Sequence, residues 1–464
     1  MFLFSKYKDN IACIASSGES FTYGDLGILS EDISSRIEPH RLIFCLCGNT
    51  IGSLAGYISF VNNNNATLLL DSHIEQTSFI ALYNTYQPRY IWAPDGFTVP
   101  GCLVLICSKN NYCLWENKDN DVPVNDNLSV LLTTSGSTGS PKLVRLSKDN
   151  LMSNAQSIAE YLHITSEERP VTGLPMYYSF GLSIINSHML MGATILLTTA
   201  SYVEKEFWQF AISNNFTSFS GVPYTFEIMK KLKLWKQPMP TLRTLTQAGG
   251  KLSNELLQFF MEKFNPQGVK FYLMYGQTEA TARMSYLEPE FGLSKLGSIG
   301  KGIPGGSFKL CDDEGNVISQ SNEVGELVYE GQNVSLGYAE SASDLIKGDE
   351  NNGVLHTGDL AYRDNDGFYF IVGRKKRFLK LFGNRISLDY VETLLKSRLK
   401  ECVCVGDDSR LVIYTTDKDY SESEIIDFIV ERTKILRTVF SVRHIDRIPR
   451  SESGKILYKE LNIE

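Results

Sequence analysis

Between Leu131 and Val144 an apolar run stops at a loop of small hydroxyl residues and glycines, LLTTSGSTGSPKLV, with a lysine just beyond it. Gly136 and Gly139 let the backbone bend close to a ligand with no Cβ in the way. Thr134, Ser135, Ser137 and Thr138 offer hydroxyls and amides, and Lys142 offers a cation. Amides turned inward in such a loop form an anion-binding nest, so the guest that suits it is a polyphosphate. The competing reading is a polar surface turn. A Walker loop is excluded, because that motif places its lysine directly after the second glycine and follows it with Ser or Thr. Here Lys142 stands three positions past Gly139 and Leu143 follows.

Four further constellations lie downstream. Tyr275-Gly276-Gln277-Thr278-Glu279 follows the apolar stretch Val269 to Met274. A strand end followed by a glycine turn is where open α/β sheets bind ligands. Thr278 can donate to a phosphate oxygen, and Glu279 is a hard oxygen ligand of the kind Mg²⁺ takes. In His356-Thr357-Gly358-Asp359-Leu360 an aspartate after a glycine turn can accept both hydroxyls of a ribose; an Asx-type turn is the alternative. Gly373-Arg374, with Lys380 and Gly383 beyond, reads either as a binding strip or as a solvated basic linker. Lys455, in PRSESGK near the C-terminal end, is on its own an ordinary tail residue.

The elements that must position these groups read as α/β. At 464 residues the chain calls for two or three domains. Its 43% hydrophobic and 21% charged content is ordinary for a globular protein. A formal charge of −8 without a basic block speaks against a nucleic-acid partner. Nine scattered cysteines without a C-x-x-C pair argue against a disulfide framework or zinc site and for a reducing, cytoplasmic setting. No apolar run reaches the length of a membrane span. Thr22 to Ile37 has helical spacing, Leu42–Leu46 and Ala66–Leu70 are buried-strand candidates, and Asn117 to Asn127 is a loop. Strands alternating with helices continue to about Val372, which favours largely parallel sheets. Near Lys376 the character changes to a compact α+β unit of about 90 residues. It holds an amphipathic helix from Leu388, strands at Cys402–Val405 and Leu411–Tyr414, and a helix opened by a Ser421/Glu424 capping box.

Taken together, the Ser/Thr/Gly loop, Y-G-x-T-E, T-G-D and the terminal lysine resemble the adenylate-forming superfamily: acyl-CoA synthetases, luciferases and the adenylation domains that load carrier proteins. The resemblance spans essentially the whole chain. It implies a large N-terminal domain of three subdomains, with parallel-type sheets, helices and a β-rich part, over residues 1–375. A small mobile α+β domain would follow over 376–464, hinged at Lys376. It also implies ATP and Mg²⁺ as cofactors, a carboxylic acid as substrate, and CoA or a carrier protein's phosphopantetheine as thiol acceptor.

By the same resemblance, Thr134, Ser135, Gly136, Ser137, Thr138 and Gly139 with Lys142 wrap the β- and γ-phosphates. Gly249, Gly250 and Tyr275 hold adenine, Thr278 the α-phosphate and Glu279 the metal, while Asp359 and Arg374 grip the ribose. Lys455 bridges the acyl carboxylate and the α-phosphate, where two anions meet and charge builds in the in-line displacement. The segment from Lys380 to Ser387 lines a thiol tunnel at Gly383. The acyl pocket draws on Tyr178, Val222, Met274, Gly276 and Thr281. Tyr178 stands where many acyl-CoA synthetases have histidine. Gly181 stands about where amino-acid-activating domains place an aspartate, which points to an acid without an α-ammonium group. The expected activity is ATP-dependent conversion of an acid to its acyl-adenylate, then transfer to CoA. Loading of a carrier protein is the second reading, and a non-catalytic ligand-binding homologue the third.

Overall fold

The computed structural model describes residues 4–133, 142–381, 384–407, 409–433, 435–450 and 456–462. The chain forms two compact units. One comprises residues up to Leu296 with Gly300–Ser307 and Tyr329–Leu355; the other comprises Gly297–Ile299, Phe308–Val328 and His356 onward. The cut expected at 375/376 falls inside the second unit.

The first unit is organised by an eight-stranded sheet. Its centre is parallel: Leu42–Cys47 lies between Ala66–Asp71 and Tyr90–Pro94, and Leu128–Thr133 pairs with Ala66–Asp71 on the far side. Leu42–Cys47 is buried at all six positions, as expected of a strand covered on both faces. Leu143–Ser147 then runs antiparallel to Leu128–Thr133, and the short strand Gly337–Ala339 closes that edge against it. The helix expected from Thr22 runs Tyr23–Ser34, with Thr22 and Asp25 forming a reciprocal capping box.

A second sheet of five strands follows. Ser218–Gly221, Thr244–Gln247 and Lys270–Tyr275 run parallel and in register, Ser218 beside Thr244 and Thr244 beside Lys270. Alternate residues of a strand share a face. One face therefore presents Ser220, Thr246 and Tyr272 in one row. Val222, Ala248 and Met274 form the next, toward the carboxyl ends. A smaller sheet joins Ile195–Leu197, Ile11–Ala15 and Ser20–Thr22.

The second unit takes in most of a four-stranded sheet that includes Val354–Arg363 and Tyr369–Arg374. It also has the hairpin Phe378–Leu381/Asn384–Ser387 and the sheet Cys402–Asp407, Arg410–Thr415, Phe440–His444. The amphipathic helix spans Leu388–Leu395, ending earlier than its apolar spacing suggested, and buries Leu388, Val391 and Leu395. The next helix is Glu422–Thr433. Its capping box is present: the Ser421 amide and hydroxyl donate to Glu424 Oε2 at 2.8 and 2.6 Å.

Candidate active site

Lys270–Tyr275 delivers Tyr275 to its carboxyl end, and the chain then turns sharply through Gly276 to Glu279. The turn is set by a backbone contact. A Cβ on Gly276 would lie 1.7 Å from the Ala282 carbonyl oxygen, so only glycine fits. Gln277 O accepts the amides of Ala280 and Ala282 at 3.0 and 3.1 Å. Thr281 and Ala282 both take positive φ, 57° and 92°, a conformation that costs a non-glycine residue about 1–3 kcal/mol. What holds them there is the segment at 333–335. Thr281 Oγ1 donates to Asn333 O at 2.6 Å, Asn333 Nδ2 donates to Ala280 O at 2.8 Å, and Ser335 N donates to Glu279 O at 2.8 Å. The Thr281 hydroxyl thus donates its hydrogen to the segment that shapes the turn.

Glu279 is oriented by a residue the sequence reading did not single out. Tyr338 donates its hydroxyl to Glu279 Oε1 at 2.8 Å. The ammonium of Lys142 lies over the same ring, 3.9 Å from its centroid, and 3.5 Å from Glu340. Burial, reinforced by the Glu279 carboxylate, raises the Tyr338 phenol well above its ordinary range, so it stays a donor. Tyr338 is itself positioned by Arg145, which is fully buried and donates to the Tyr338 and Leu336 carbonyls at 3.0 and 2.9 Å while pairing with Glu350. The sequence signal was thin: a Gly-Tyr pair on a three-residue strand.

Thr278 Oγ1 lies 3.1 Å from Ser179 Oγ, which ties the turn to the helix Ser179–Leu190. Tyr178, directly before that helix, packs with Val222, Ala248 and Met274 in one apolar cluster, and burial pushes its hydroxyl up to about 12. Gly249 (φ 81°) makes room for it, since a Cβ there would come 2.6 Å from the Tyr178 hydroxyl. Gly250 O accepts Gln247 Nε2 at 2.9 Å. The structure thus gathers Tyr178, Val222, Met274 and Gly249 around one wall and places Tyr275, Gly276 and Thr278 at its rim.

Gly181 has a packing reason of its own. A Cβ at this position would stand 2.1 Å from the Pro175 carbonyl oxygen. Any side chain on this backbone would meet that carbonyl, so helix packing by itself calls for the glycine.

In the second unit Asp359 lies inside the strand Val354–Arg363 rather than after a turn; Gly358 (φ 69°) sits beside a register shift in the pairing to Tyr369–Arg374. Asp359 is buried, and its carboxylate accepts Arg374 Nε at 3.1 Å. Arg374 N is held by Asp389 Oδ2 at 3.0 Å. Three residues on, Arg377 is tied to Asp389 and Glu392 and lies over the Tyr458 ring. Thr134, Ser135, Gly136, Ser137, Thr138, Gly139, Gly383 and Lys455 lie outside the described residues, as do the side chains of Lys376 and Lys380.

Glu279 is a fitting magnesium ligand. It offers a hard oxygen, and Mg²⁺ is usually held by one or two carboxylates together with waters and substrate phosphates. Among the described residues no cluster of three or more His, Cys, Asp or Glu side chains forms a protein cage for a metal.

The class these features define is the adenylate-forming enzymes: an ammonium and a carboxylate of the kind Mg²⁺ takes share one aromatic ring, the carboxylate standing in the turn after a parallel strand, beside an apolar wall. The family of AMP-binding enzymes matches residues 72–339, and the chain belongs to it. The 2-succinylbenzoate–CoA ligase of Bacillus pumilus (strain SAFR-032) is 28% identical over 346 residues, covering 73% of this chain and 69% of the relative. The 4-coumarate–CoA ligase-like 8 of Arabidopsis thaliana is 28% identical over 350 residues, covering 72% and 62%. The o-succinylbenzoate CoA synthetase of Bacillus subtilis, solved with its acyl-adenylate intermediate, has the same fold. The TM-score is 0.79, with 23% identity over 98% of this chain and 96% of that one. ATP-bound MatB from Rhodopseudomonas palustris aligns with a TM-score of 0.75 and 18% identity over 99% and 96%. Among the described residues no helix is long and apolar enough to cross a membrane.

Proposed function

We propose that this chain joins a carboxylic acid to CoA in two steps at the expense of ATP. In the first, a carboxylate oxygen bonds to the α-phosphorus as the α–β bridging bond breaks, giving acyl-adenylate and pyrophosphate. In the second, the CoA sulfur bonds to the acyl carbon and AMP leaves. The observation that carries this reading is the Tyr338 ring, which sets Lys142 and Glu279 side by side. That pairing suits a magnesium–polyphosphate: the ammonium for phosphate oxygens and the carboxylate for the ion, whose bound charge offsets that of the triphosphate. The naming of relatives as CoA ligases supports CoA as the acceptor.

Thr278, fixed against Ser179, is assigned to the α-phosphate, and Thr134 to Gly139 to the β- and γ-phosphates. Adenine is assigned to Gly249, Gly250 and Tyr275, the ribose to Asp359 and Arg374, and the acyl group to the Tyr178–Val222–Met274 wall. Lys455 supplies the cation between the two reacting anions. It is carried by a domain of residues 376–464 that turns about Lys376 to let the thiol enter by way of Lys380 and Gly383, a gating use of domain motion. That turn releases the bond from Arg374 N to Asp389, while Arg377 stays fixed to the helix Leu388–Leu395. The cytoplasm is the assigned compartment, consistent with nine free cysteines.

The test is acid-dependent ATP–pyrophosphate exchange over fatty, aryl and amino acids, followed by trapping with CoA and with carrier proteins. Exchange with at least one acid and thioester formation with CoA are expected. Absence of exchange with every acid would refute acid activation, and trapping by carrier proteins alone would refute CoA as acceptor.

A further inference from the structure

Two arginines of the first unit are essentially excluded from solvent, Arg145 at 0% and Arg283 at 1% exposure. Arg145 has a carboxylate, Glu350. Arg283 has none: among the described residues no Asp or Glu comes within ion-pair distance of it. Its partners are neutral. Nε donates to Ser183 Oγ at 3.0 Å, and Nη1 reaches Tyr161 Oη at 3.3 Å and Met274 Sδ at 3.5 Å. The guanidinium also lies 5.1 Å from the centroid of the Phe180 ring. Burying a cation costs several kcal/mol unless it is paired, and buried charges are as a rule paired or bound to a ligand.

The surroundings point to what completes the pair. Arg283 borders a cavity of about 10 Å³, room for about one water. The cavity is also lined by Ser218, Ser220, Thr244 and Thr246 from two adjacent parallel strands and by His188 from the facing helix. Hydroxyls on alternate residues of both strands make this stretch of the sheet face polar. One strand repeat nearer the rim, roughly 7 Å away, the same face presents the apolar row Val222, Ala248 and Met274. Met274 belongs to the acyl wall and touches Arg283, so it connects the two; unbranched, it is the side chain best able to move aside. His188 gives its Nδ1 hydrogen to Ile184 O at 2.8 Å, and burial lowers it to about 4, so it adds no second cation. Glu168 also lines the cavity; it lies beyond ion-pair distance of Arg283 and is engaged by Arg243 and Thr217.

We infer that Arg283 is the specificity determinant of the acyl pocket and that the acid this enzyme activates carries a second anionic group, in the simplest case a second carboxylate. The inference rests on the acid-activation reading and deepens it. The reacting carboxylate sits at the rim, the body of the acid runs along Val222, Ala248 and Met274, and the far anion displaces the cavity water to meet Arg283 and the Ser220–Thr246 hydroxyls. A planar guanidinium with unused N–H groups suits a carboxylate in particular. A neutral acid of equal length would leave the cation buried and unanswered.

The test is ATP–pyrophosphate exchange with three probes at each length: the α,ω-diacids from succinate to azelate, their monomethyl esters, and the straight-chain monoacids. The three benzenedicarboxylates and their monoesters are run alongside. At the best length the wild-type enzyme should favour the diacid over its monoester in kcat/KM by roughly 100-fold or more. Arg283→Met, of similar length and no charge, should abolish that preference by lowering the diacid rate and raising the monoester rate. Arg283→Lys should keep part of it. Should Arg283→Met fail to fold, the wild-type comparison decides on the second anion and Arg283→Lys on the residue, an unchanged preference in the lysine variant overturning its assignment. Exchange with monoacids or monoesters at least as good as with every diacid overturns the inference while leaving acid activation standing; so does an undiminished preference in a folded Arg283→Met enzyme. Exchange with no acid of any kind overturns both.

Discussion

Replacing Tyr338 with phenylalanine separates the two tasks of one side chain. The ring remains, so Lys142 keeps the face it occupies at 3.9 Å. Only the 2.8 Å hydrogen bond to Glu279 is lost. A hydrogen bond to a charged partner contributes about 1.5–3 kcal/mol. Glu279 is only half-buried, so water replaces part of the lost donor and the lower figure applies, about 1.5 kcal/mol or tenfold. The strand Gly337–Ala339 keeps its backbone pairing and its anchorage on Arg145, so the fold should not suffer. The loss should therefore appear as a roughly tenfold higher Mg²⁺ requirement and a higher KM for MgATP. The KM for the acid should not change. Exchange measured against Mg²⁺ at saturating acid reads this directly, and Tyr338→Leu should be worse because Lys142 loses its ring as well. A phenylalanine variant with wild-type Mg²⁺ and ATP dependence, or one altered only toward the acid, would refute the assignment of Tyr338 as the residue that positions Glu279.

Three other outcomes are expected. Lys455→Ala should cut adenylation by orders of magnitude yet leave thioester formation from supplied acyl-adenylate largely intact; equal loss in both half-reactions would end the two-position account. Gly181→Ala should destabilise the protein by about 1–3 kcal/mol or more through overpacking, seen as a lower thermal midpoint; a neutral result would contradict the 2.1 Å approach to Pro175 O. Burial pushes Tyr112, Tyr178 and Tyr272 up to about 12. Their folded values lie above the unfolded value of about 10, so their contribution is complete below about pH 10 and is lost as pH rises toward 12. Buried Cys13, Cys47, Cys402 and Cys404 are raised in the same way from a lower starting value of about 8.5, so urea midpoints should hold steady from pH 6 to about 8 and fall beyond, and a midpoint that rises above pH 10 would contradict this.

Much of the fold was legible because its signals are local. Thr22 with Asp25, and Ser421 with Glu424, declare helix starts through side chains three residues apart, and fully apolar runs such as Leu42–Cys47 declare covered strands. The Tyr275–Glu279 turn could be placed because a strand end and a glycine adjoin. What escaped was non-local or ambiguous. Tyr338 is 59 residues from the carboxylate it orients, and nothing in its neighbourhood says so. Gly358 suggested a turn but lies within a strand at positive φ. Gly181 invited a chemical explanation, and the passage of another backbone beside it could not be read from its neighbours. Arg283 left one clue, a lone charge in the otherwise uncharged run ATARMSYL, which is as compatible with a solvated residue as with a buried one.

The closure of Gly276 on the Ala282 carbonyl restricts how this protein can diverge. The loop carrying Thr278 and Glu279 has a length fixed by that contact and a shape fixed by Asn333, so inserting or deleting a residue anywhere in it misplaces both functional side chains together. In a library covering every single substitution, Gly276 and Asn333 should tolerate change as poorly as Glu279 itself, although one has no side chain and the other meets only backbone and a tyrosine. New substrates can then be explored only outside the loop, on the sheet rows and the facing helix. On the assignments proposed above, the part of the molecule that reads the acid is thus free to vary while the part that handles the nucleotide is not.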